Sequence, residues 1–487
     1  MNLFYLLLGI PLLSSGILAF VGHARLAAGL NIIAGMLTFF AALGLSFEVF
    51  EKGTILLYGQ SFFLDAFNVF LVSLTAFVST TTAIFSYSYM LNEKEKSRVS
   101  PKSLRLYHAM FQMFIFCMLL ALTTNNLGVL WIALELATLT TVLLVSLYRT
   151  PKAISAAWKY FILCGVGIAL ALLGTILIFS TSSEVLGHSN DALSWTLLYQ
   201  NAERLSPNVM SLAFVFIMVG YGTKVGLVPM HTWLSDAHAE GPTPISAVLS
   251  GLLLNVALYA LVRCKVLVDI ATKQNMAGEL MIGFGLLSLI IASLMLHRQY
   301  DIKRMFSFSS IEHMGIMTVA FGIGSSLANF AALLHMTVHS LVKSGIFFTV
   351  GHAVQEMGTQ SMTKIRGLIH HQPGIGWGLI LGTIAIAGFP PFAVFASEFM
   401  LIAAALQTYP WIVGLILPSL VIAFAGLFRH LQPMVFGVPP EECEVVRVNM
   451  LPVYIHLGLA LVLGLAMPEF LADWYNYAAI VLHGGAQ

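Results

Sequence analysis

Residues 209–245 read VMSLAFVFIMVGYGTKVGLVPMHTWLSDAHAEGPTPI and begin as an apolar helix long enough to enter a membrane. The run contains Lys224, and an ammonium near the middle of a lipid-embedded helix costs about 2.5–3.5 kcal/mol even on the lenient insertion scale. Pro229 removes a backbone donor and clashes with the preceding turn, so the helix is predicted to break there. Broken backbone at membrane depth is tolerated where it is buried in protein or lines a wet cavity. The run therefore predicts an ion site, with a lysine that reaches the membrane surface from a short helix as the simpler alternative.

The composition excludes a soluble globular protein. Of 487 residues, 58% are hydrophobic and 9% are charged, and the mean hydropathy is +0.88, whereas soluble chains carry about 25% charged residues. The net charge of +1 gives no reason to expect nucleic acid binding. The first apolar run lacks a basic flank and is followed by further apolar runs, so no cleavable signal is expected. We predict an all-α, polytopic membrane protein.

The cysteines do not form a metal or haem motif. They stand apart in the sequence at Cys117, Cys164, Cys264 and Cys443, without any CxxC pair. Haem attachment, iron–sulfur and structural zinc sites are therefore disfavoured in this chain. We interpret the four as small buried apolar residues.

Apolar runs predict about fourteen membrane spans, of which two are broken. They fall near residues 3–21, 27–47, 62–90, 106–124, 127–148, 155–181, 209–240 (broken), 244–268, 278–297, 304–322, 326–352, 375–406 (broken), 410–434 and 451–467. The connections are short. The longest, residues 182–206, is predicted to hold one surface helix, and residues 48–61 a small hairpin.

The lysines and arginines orient these spans. If the first span starts outside, connections on the opposite side hold sixteen of them: Arg25, Lys94, Lys96, Arg98, Lys102, Arg105, Arg149, Lys152, Lys159, Arg298, Lys303, Arg304, Lys364, Arg366, Arg429 and Arg447. The starting side holds five: Lys52, Arg204, Arg263, Lys265 and Lys273. The positive-inside rule then places both termini outside the cytoplasm. Lys224 and Lys343 belong to neither side and are predicted to lie within the bilayer.

Two further candidates for an ion site are carboxylates within predicted spans. Glu135 is in the otherwise uncharged run 127–148, and Glu398 follows a second predicted break at Pro390–Pro391. Ionisable groups inside a membrane usually face the bundle interior and mark ion or proton routes. The alternative for Glu135 is a neutral, buried carboxylic acid; pairing with Lys224 would keep both groups charged.

Histidines accompany the second buried lysine. His335, His339 and Lys343 are four residues apart and share one helix face, and His313 follows the basic loop of residues 301–304. Two histidines at this spacing can bind zinc, but no third ligand follows at a familiar spacing and Lys343 would repel a cation. Core histidines bound to backbone carbonyls are the other alternative. A protonatable series is the preferred interpretation.

The two broken runs indicate an internal repeat. Lys224 precedes the break at Pro229, and Glu398 follows the break at Pro391. Paired broken helices in two halves of a transporter are typical of inverted repeats around an ion site. We expect N-terminal spans at residues 1–105, one half-channel at 106–268, a second at 278–435, and a last span with a tail at 436–487.

Four stretches carry a family resemblance. They are TKVGLVPMHTWLSDAHAEGPTPISAVLSGLLLNVALYALVR (223–263), DIKRMFSFSSIEHMG (301–315), LLHMTVHSLVKSGIFFTVGH (333–352) and AGFPPFAVFASEFMLI (387–402). Together they resemble the antiporter-like subunits of complex I, a family that includes Mrp-type antiporters and membrane subunits of energy-converting nickel–iron hydrogenases. The resemblance covers roughly residues 60–435. Within the family, the sequence is most similar to the hydrogenase 4 and formate hydrogenlyase branch, component F type.

The resemblance implies roles for individual residues. It implies a proton relay in which Glu135 pairs with Lys224. The relay continues through the histidines and Lys343, and it ends at Glu398. Residues in supporting positions are Asp65, His231, Asp236, His238, Asn255 and Arg263. Asn255 departs from the pattern, because many relatives have a lysine there. The alternatives are that water or Arg263 bridges the gap, or that coupling between the two halves is weaker. Asn255, Glu398 and the missing long lateral helix argue against the terminal complex I subunit.

The resemblance also implies function, partners and location. We expect a proton-translocating subunit of a redox-driven complex in a bacterial or archaeal plasma membrane, with no redox centre of its own. Iron–sulfur clusters, with a nickel–iron centre or flavin as further candidates, are expected in partner subunits that form other membrane parts and a peripheral electron-transfer arm. The alternatives are a subunit of a sodium/proton antiporter or inorganic-carbon uptake system, which needs no redox partner, and a non-pumping anchor.

Overall fold

The computed structural model describes residues 2–188, 190–439 and 448–482. Its helices are α1 (Asn2–Phe20), α2 (Ala24–Lys52), α3 (Ala66–Glu95), α4 (Pro101–Thr123), α5 (Leu127–Val145), α6 (Pro151–Leu186), α7 (Trp195–Asn201), α8 (Pro207–Val225), α9 (Thr232–Glu240), α10 (Thr243–Val248), α11 (Leu254–Thr272), α12 (Met276–Leu296), α13 (Ile302–Ile323), α14 (Ser326–Met357), α15 (Leu368–His371), α16 (Pro373–Ile386), α17 (Ala393–Thr408), α18 (Pro410–Phe436), α19 (Leu451–Leu465) and α20 (Glu469–Leu482). A π-helical turn (Leu249–Leu253) joins α10 to α11. Cys443 and Arg447 lie outside the described residues.

A helix occupies each predicted span, which confirms the all-α membrane fold. Eleven helices of the described chain are long and apolar enough to cross a membrane, or twelve if α19 and α20 form one span bent by 80°. Helices α16, α17 and α19 are shorter, and α13 contains Lys303, Arg304 and Glu312. The count of about fourteen spans therefore stays a prediction.

Two connections differ from the sequence prediction, and the predicted tail contains a helix. The hairpin is displaced, because α2 continues to Lys52 and the antiparallel strands are β1 (Ile55–Leu57) and β2 (Phe62–Leu64). The helix predicted on the surface within 182–206 is α7, whose Trp195 is buried and stacks on Phe63 at 5.5 Å. The predicted tail contains helix α20, and Trp474 Nε1 donates to Ala66 O at 2.8 Å, which ties this helix to α3.

Helix α13 is both polar and deeply buried. Along α13 almost every side chain is buried, as along α11 and α14, whereas α1, α2 and α6 expose apolar side chains such as Phe20, Phe47 and Trp158. Lipid cannot satisfy polar groups, so a helix that carries them must be enclosed by other helices. The ionisable residues therefore lie along the centre of the bundle.

Glycines let the central helices approach one another closely. A Cβ on Gly220 of α8 would lie 2.5 Å from the backbone nitrogen of Ala171 on α6, and one on Gly315 of α13 would lie 2.6 Å from the carbonyl oxygen of Gly285 on α12. Small residues at such crossings are how membrane helices pack without a hydrophobic driving force. These two crossings position the helices that carry Lys224 and His313.

Both predicted breaks are present. Helix α8 ends at Val225, and Gly226 takes a left-handed φ of +83°; α16 ends at Ile386, and Gly388 has a φ of +70°. The Val228–Pro229 and Pro390–Pro391 peptides are cis. Within the first break, Val228 N donates to Ser288 Oγ at 2.9 Å, so the freed backbone is satisfied inside the protein.

Candidate functional site

Lys224 and Glu135 meet through a hydroxyl group. Lys224 is fully buried in the last turn of α8, and its Nζ donates to Thr138 Oγ1 on α5. The same oxygen lies 3.4 Å from Glu135 Oε2. The ammonium lies 5.8 Å from the ring centroid of Tyr160, which stacks on Trp233 of α9. The predicted partners are thus in one site, with Thr138 between the two charged groups.

Glu135 is the most accessible member of this site. Its side chain is half-buried, and on either side of it α5 exposes Ile132 and Leu136. The carboxylate therefore lies near the outer face of the bundle, whereas Lys224 points into it. A protein neighbour on that face would change the surroundings of Glu135 first.

The predicted histidines form one cluster with the second break. Nδ1 of His313 lies 2.9 Å from Nε2 of His335, and Nδ1 of His335 lies 2.8 Å from Ser397 Oγ on α17. The ring of His339 is 5.8 Å from that of His313, and neither of its nitrogens has a partner among the described residues. Each neutral imidazole can donate from one nitrogen and accept at the other. The cluster can therefore pass a proton along α14 towards α17.

A buried carboxylate that the sequence analysis overlooked accompanies Lys343. The Lys343 ammonium donates to Phe306 O at 3.0 Å and also interacts with the charge of Glu312, one residue before His313. Glu312 is buried, and its Oε2 has no hydrogen-bond partner among the described residues. The criterion applied to Glu135, an ionisable residue within a span, would have identified it.

Glu398 lies against the second break. Its carboxylate packs on Gly388, where a Cβ would collide with Oε2, and the neighbouring residue Ser397 binds the histidine cluster. Glu312 is the carboxylate that interacts with it electrostatically. The structure therefore brings the histidine cluster and Glu398 together at the second break, and Glu312 and Lys343 are buried on the helices that carry this cluster.

Asn255 lies between Lys224 and Lys343 in the chain, but its side-chain contacts are with α14, the helix that carries Lys343. Its Nδ2 donates to Ser340 Oγ at 2.7 Å and to Met336 O at 3.2 Å, both on α14. Its Oδ1 has no partner in the described chain. Arg263, which the sequence analysis offered as a bridge, lies about two turns farther along α11.

Arg263 is bound elsewhere. Its Nη2 is 2.6 Å from Asp65 Oδ1, and both side chains are buried. Asp65 also caps α3, and the guanidinium lies over the ring of Trp195 at 4.4 Å. This pair holds α3 and α11 together at the end of the molecule opposite the basic connections. The geometry gives Arg263 no contact with Asn255.

The remaining supporting residues lie on or beside α9. Asp236 pairs with Lys159 at 2.7 Å and with Arg304 at 2.5 Å, near the basic end of the molecule. His231 is partly buried at the break, and His238 is fully buried. No group of three or more His, Cys, Asp or Glu side chains is arranged to hold a metal ion within the part of the chain that the structure describes.

The comparison with known proteins decides the family. Residues 124–423 match the model described as NADH:quinone oxidoreductase/Mrp antiporter, transmembrane. The chain belongs to this family. The match runs from the end of α4 into α18 and includes every titratable residue from Glu135 to Glu398, whereas Asp65 lies before it. The expected family is confirmed.

Individual relatives support the same assignment. The chain is 44% identical over 472 residues to a hydrogenase-4 component F homolog of Methylacidiphilum infernorum, covering 97% of this chain and 98% of the relative. Its fold is similar to a chain of the membrane-bound sulfane sulfur reductase, an archaeal respiratory membrane complex, with a TM-score of 0.88, 24% identity, and coverage of 97% and 96%. It is also similar to a chain of the Mrp complex from Dietzia sp. DQ12-45-1b, with a TM-score of 0.86, 17% identity, and coverage of 99% and 98%.

The antiporter-family fold thus brings together most residues predicted from the sequence. Glu135 with Lys224, and His313 with His335, His339 and Lys343, are in common sites. Thr138, Glu312 and the buried groups Glu93 and Lys303 at the basic end were overlooked. Thr138 carries no charge and so gave no signal. Glu93 and Lys303 fall in predicted connections rather than in predicted spans.

Proposed function

We propose that this chain conducts protons across the membrane as the antiporter-like subunit of a redox-driven complex of the complex I or membrane-bound hydrogenase type. The observation that supports this most is the series of buried titratable groups through the bundle. It begins with Glu135, Thr138 and Lys224 and ends with Lys343, Glu312, the histidine cluster and Glu398. An apolar membrane protein retains such costly groups where they have a function.

The first site can act as the controlled step. A buried ammonium is stabilised by a nearby carboxylate, and a lone one favours losing its proton. Glu135 lies near the outer face of α5, so a conformational change in a neighbouring subunit can move it relative to Lys224. Weakening the Glu135–Lys224 attraction would then drive a proton from Lys224 into the bundle.

Between Lys224 and Lys343, the position where many relatives have a lysine is occupied by Asn255. Asn255 cannot take up and release a proton at neutral pH. Its own helix and the helices α13 and α14 do carry buried polar atoms without partners among the described residues: Asn255 Oδ1 on α11, Ser309 Oγ on α13, and Ser344 Oγ and both ring nitrogens of His339 on α14. Buried polar groups of this kind are commonly bridged by ordered water. We infer that water carries the proton from Lys224 to Lys343.

In the second half the proton would leave through the histidines. Glu312 is the acidic neighbour that acts on Lys343 there, as Glu135 acts on Lys224 in the first half. The bonded series His313, His335 and Ser397 leads to Glu398 at the break between α16 and α17. Glu398 is the group that exchanges protons with the outside.

The two halves are proposed to be inverted repeats. Residues 106–268 begin with a helix that leaves the basic end, whereas residues 278–435 begin with one that approaches it, and each contains one broken helix. The expected iron–sulfur clusters, and a nickel–iron centre or flavin, would belong to partner subunits of a membrane domain and a peripheral arm. Both termini are proposed to lie outside the cytoplasm of a bacterial or archaeal cell.

The proposal is tested with the full chain in lipid vesicles that contain a pH-sensitive dye. A potassium diffusion potential drives proton uptake, which Lys224→Ala and Glu398→Gln are expected to reduce by at least about a hundredfold, the lower range for losing an acid–base group. Exposed residues supply matched controls, Lys273→Ala and Glu279→Gln. Uptake that is equal in all four variants would overturn proton conduction by these groups.

The redox partnership is tested separately. The chain is purified with its natural neighbours from native membranes, and the expected result is co-purified protein that contains iron–sulfur clusters. Recovery without any redox protein, together with sodium-driven proton movement in vesicles, would instead establish the sodium/proton antiporter alternative.

A further inference from the structure

A second group of buried charges lies at the basic end of the bundle, outside the series described above. Glu93, near the end of α3, is 1% exposed, and its Oε1 accepts from Gln355 Nε2 on α14 at 2.8 Å. Arg98 approaches the same oxygen at 3.5 Å and is 43% exposed at the rim. Glu93 Oε2 has no hydrogen-bond partner among the described residues. A buried carboxylate thus lies just inside the protein surface, and the Tyr148 hydroxyl also interacts with it.

Lys303 is the next charged group inward. It is buried in the first turn of α13, and its ammonium donates to Ala239 O at 3.1 Å and to Gly241 O at 2.5 Å. These carbonyls end α9, where the helix dipole favours a cation. Asp301 and then Glu240 are the carboxylates whose charges act most strongly on Lys303, and Glu93 acts on it more weakly. The two residues therefore belong to one electrostatic network.

His238 connects this network to Lys343. Its ring stacks on Phe347 at 4.9 Å, one helical turn along α14 from Lys343. Both ring nitrogens are buried and lack a described hydrogen-bond partner. The charges of Lys303 and Lys343 both act on this ring. A buried imidazole in the field of two buried lysines, with neither nitrogen engaged among the described residues, is suited to relay a proton.

We propose that Glu93 is the entry of a proton path from the basic end of the protein to Lys343, by way of Lys303 and His238. This inference rests on the proposed function and adds the point at which protons enter its second half. Glu93 takes up a proton that surface water delivers, and water beside the Lys303 ammonium passes it to one His238 nitrogen. The imidazole releases the proton on its other nitrogen to the Lys343 amine, which has already given its own proton to the histidine cluster. Glu93 and His238 thus return to their starting charge, and Lys343 becomes an ammonium again.

A structural role is the alternative for Glu93, since it also ties α3 to α14. Glu93→Gln separates the two roles, because a glutamine side chain keeps an oxygen for Gln355 but cannot titrate. The vesicle assay is run with this variant, with Glu93→Asp, and with the exposed neighbour Glu95→Gln as the matched control. Melting temperatures of all three detect any loss of fold.

Glu93→Gln is expected to slow proton uptake at least about tenfold without lowering the melting temperature, and Glu93→Asp to restore most of the rate. His238→Phe, which keeps a ring against Phe347, is expected to cause a similar loss. The double variant should then be no slower than either single one, because both residues act on one path.

The outcomes separate this inference from the function on which it rests. If Lys224→Ala stops uptake while Glu93→Gln conducts as well as Glu95→Gln, the entry at Glu93 is overturned and the conduction series stands. If the unsubstituted chain takes up no protons, both are overturned. A melting temperature that falls in parallel with the rate, without rescue by aspartate, would assign Glu93 a structural role.

Discussion

At the scale of single residues, Thr138 carries the contact between the first two charged groups. Replacing it by valine keeps the shape of the side chain but removes the hydroxyl that meets Lys224 and Glu135. Losing a hydrogen bond to a charged group costs about 1.5–3 kcal/mol, so Thr138→Val is expected to slow proton uptake in vesicles about tenfold or more. Thr138→Ser should retain most of the rate.

Thr140 provides the control for this prediction. It lies on the same helix, and its hydroxyl bonds only to the backbone oxygen of Ala137 in the described structure, at 2.9 Å. Thr140→Val should therefore conduct like the unsubstituted chain. Equal rates for the two valine variants would show that the Thr138 hydroxyl does not couple Lys224 to Glu135.

Gly388 sets the position of the Glu398 carboxylate. Its φ of +70° disfavours a side chain, and a Cβ would collide with Glu398 Oε2. Gly388→Ala is expected to displace the carboxylate and reduce proton uptake, in addition to a backbone cost of about 1–2 kcal/mol. The rate in vesicles and the melting temperature are both measured.

Gly358 separates these two effects. It has a similar φ of +62°, but a Cβ there would meet nothing within 4 Å. Gly358→Ala should lower the melting temperature by a similar amount while proton uptake remains normal. If both alanine variants lost stability alike and neither lost conduction, contact with Gly388 would not matter for Glu398.

At the scale of helices, the sequence predicted what is local. A proline beside a charge predicted the breaks in 209–240 and 375–406, because proline acts on its own helix and a charge in a span needs an enclosed place. The face shared by His335, His339 and Lys343 followed from helical spacing alone. The enclosure of Glu312 by neighbouring helices, and of Trp195 in α7, depends on packing between distant segments, which spacing does not specify.

The close crossing of α6 and α8 gives a prediction at this scale. Gly220→Val would force side-chain atoms into the backbone of α6, where a Cβ already lies 2.5 Å from Ala171 N. Overpacking of this kind costs about 1–3 kcal/mol or more. The melting temperature of the detergent-solubilised chain should fall, and proton uptake should fall too because α8 carries Lys224.

Gly165 on α6 is the matched control. A Cβ at this position would meet nothing within 4 Å. Gly165→Val is therefore expected to leave the melting temperature nearly unchanged. A similar melting temperature for both variants would mean that the crossing at Gly220 can widen without cost.

At the scale of the whole molecule, buried charges are balanced while surface charges are not. Lys224 lies with Glu135, Lys343 with Glu312, and Arg263 with Asp65, so that each of these cations has a carboxylate nearby. Balance of this kind lowers the cost of placing charge inside a membrane protein. The surface lysines and arginines, by contrast, gather at one end, the end where Glu93 and Lys303 also lie.

This asymmetry predicts the orientation of the molecule. Lys102 is exposed at the basic end, and Lys273 is exposed at the opposite end, where it pairs with Glu203 at 3.3 Å. In a chain with Cys443 replaced by serine, Lys273→Cys should react with a membrane-impermeant maleimide in intact cells, and Lys102→Cys should react only in inverted vesicles. The positive-inside rule requires this result. Labelling of Lys102→Cys in intact cells would mean that the basic end, with Glu93, faces outward. The direction proposed for proton flow would then be wrong.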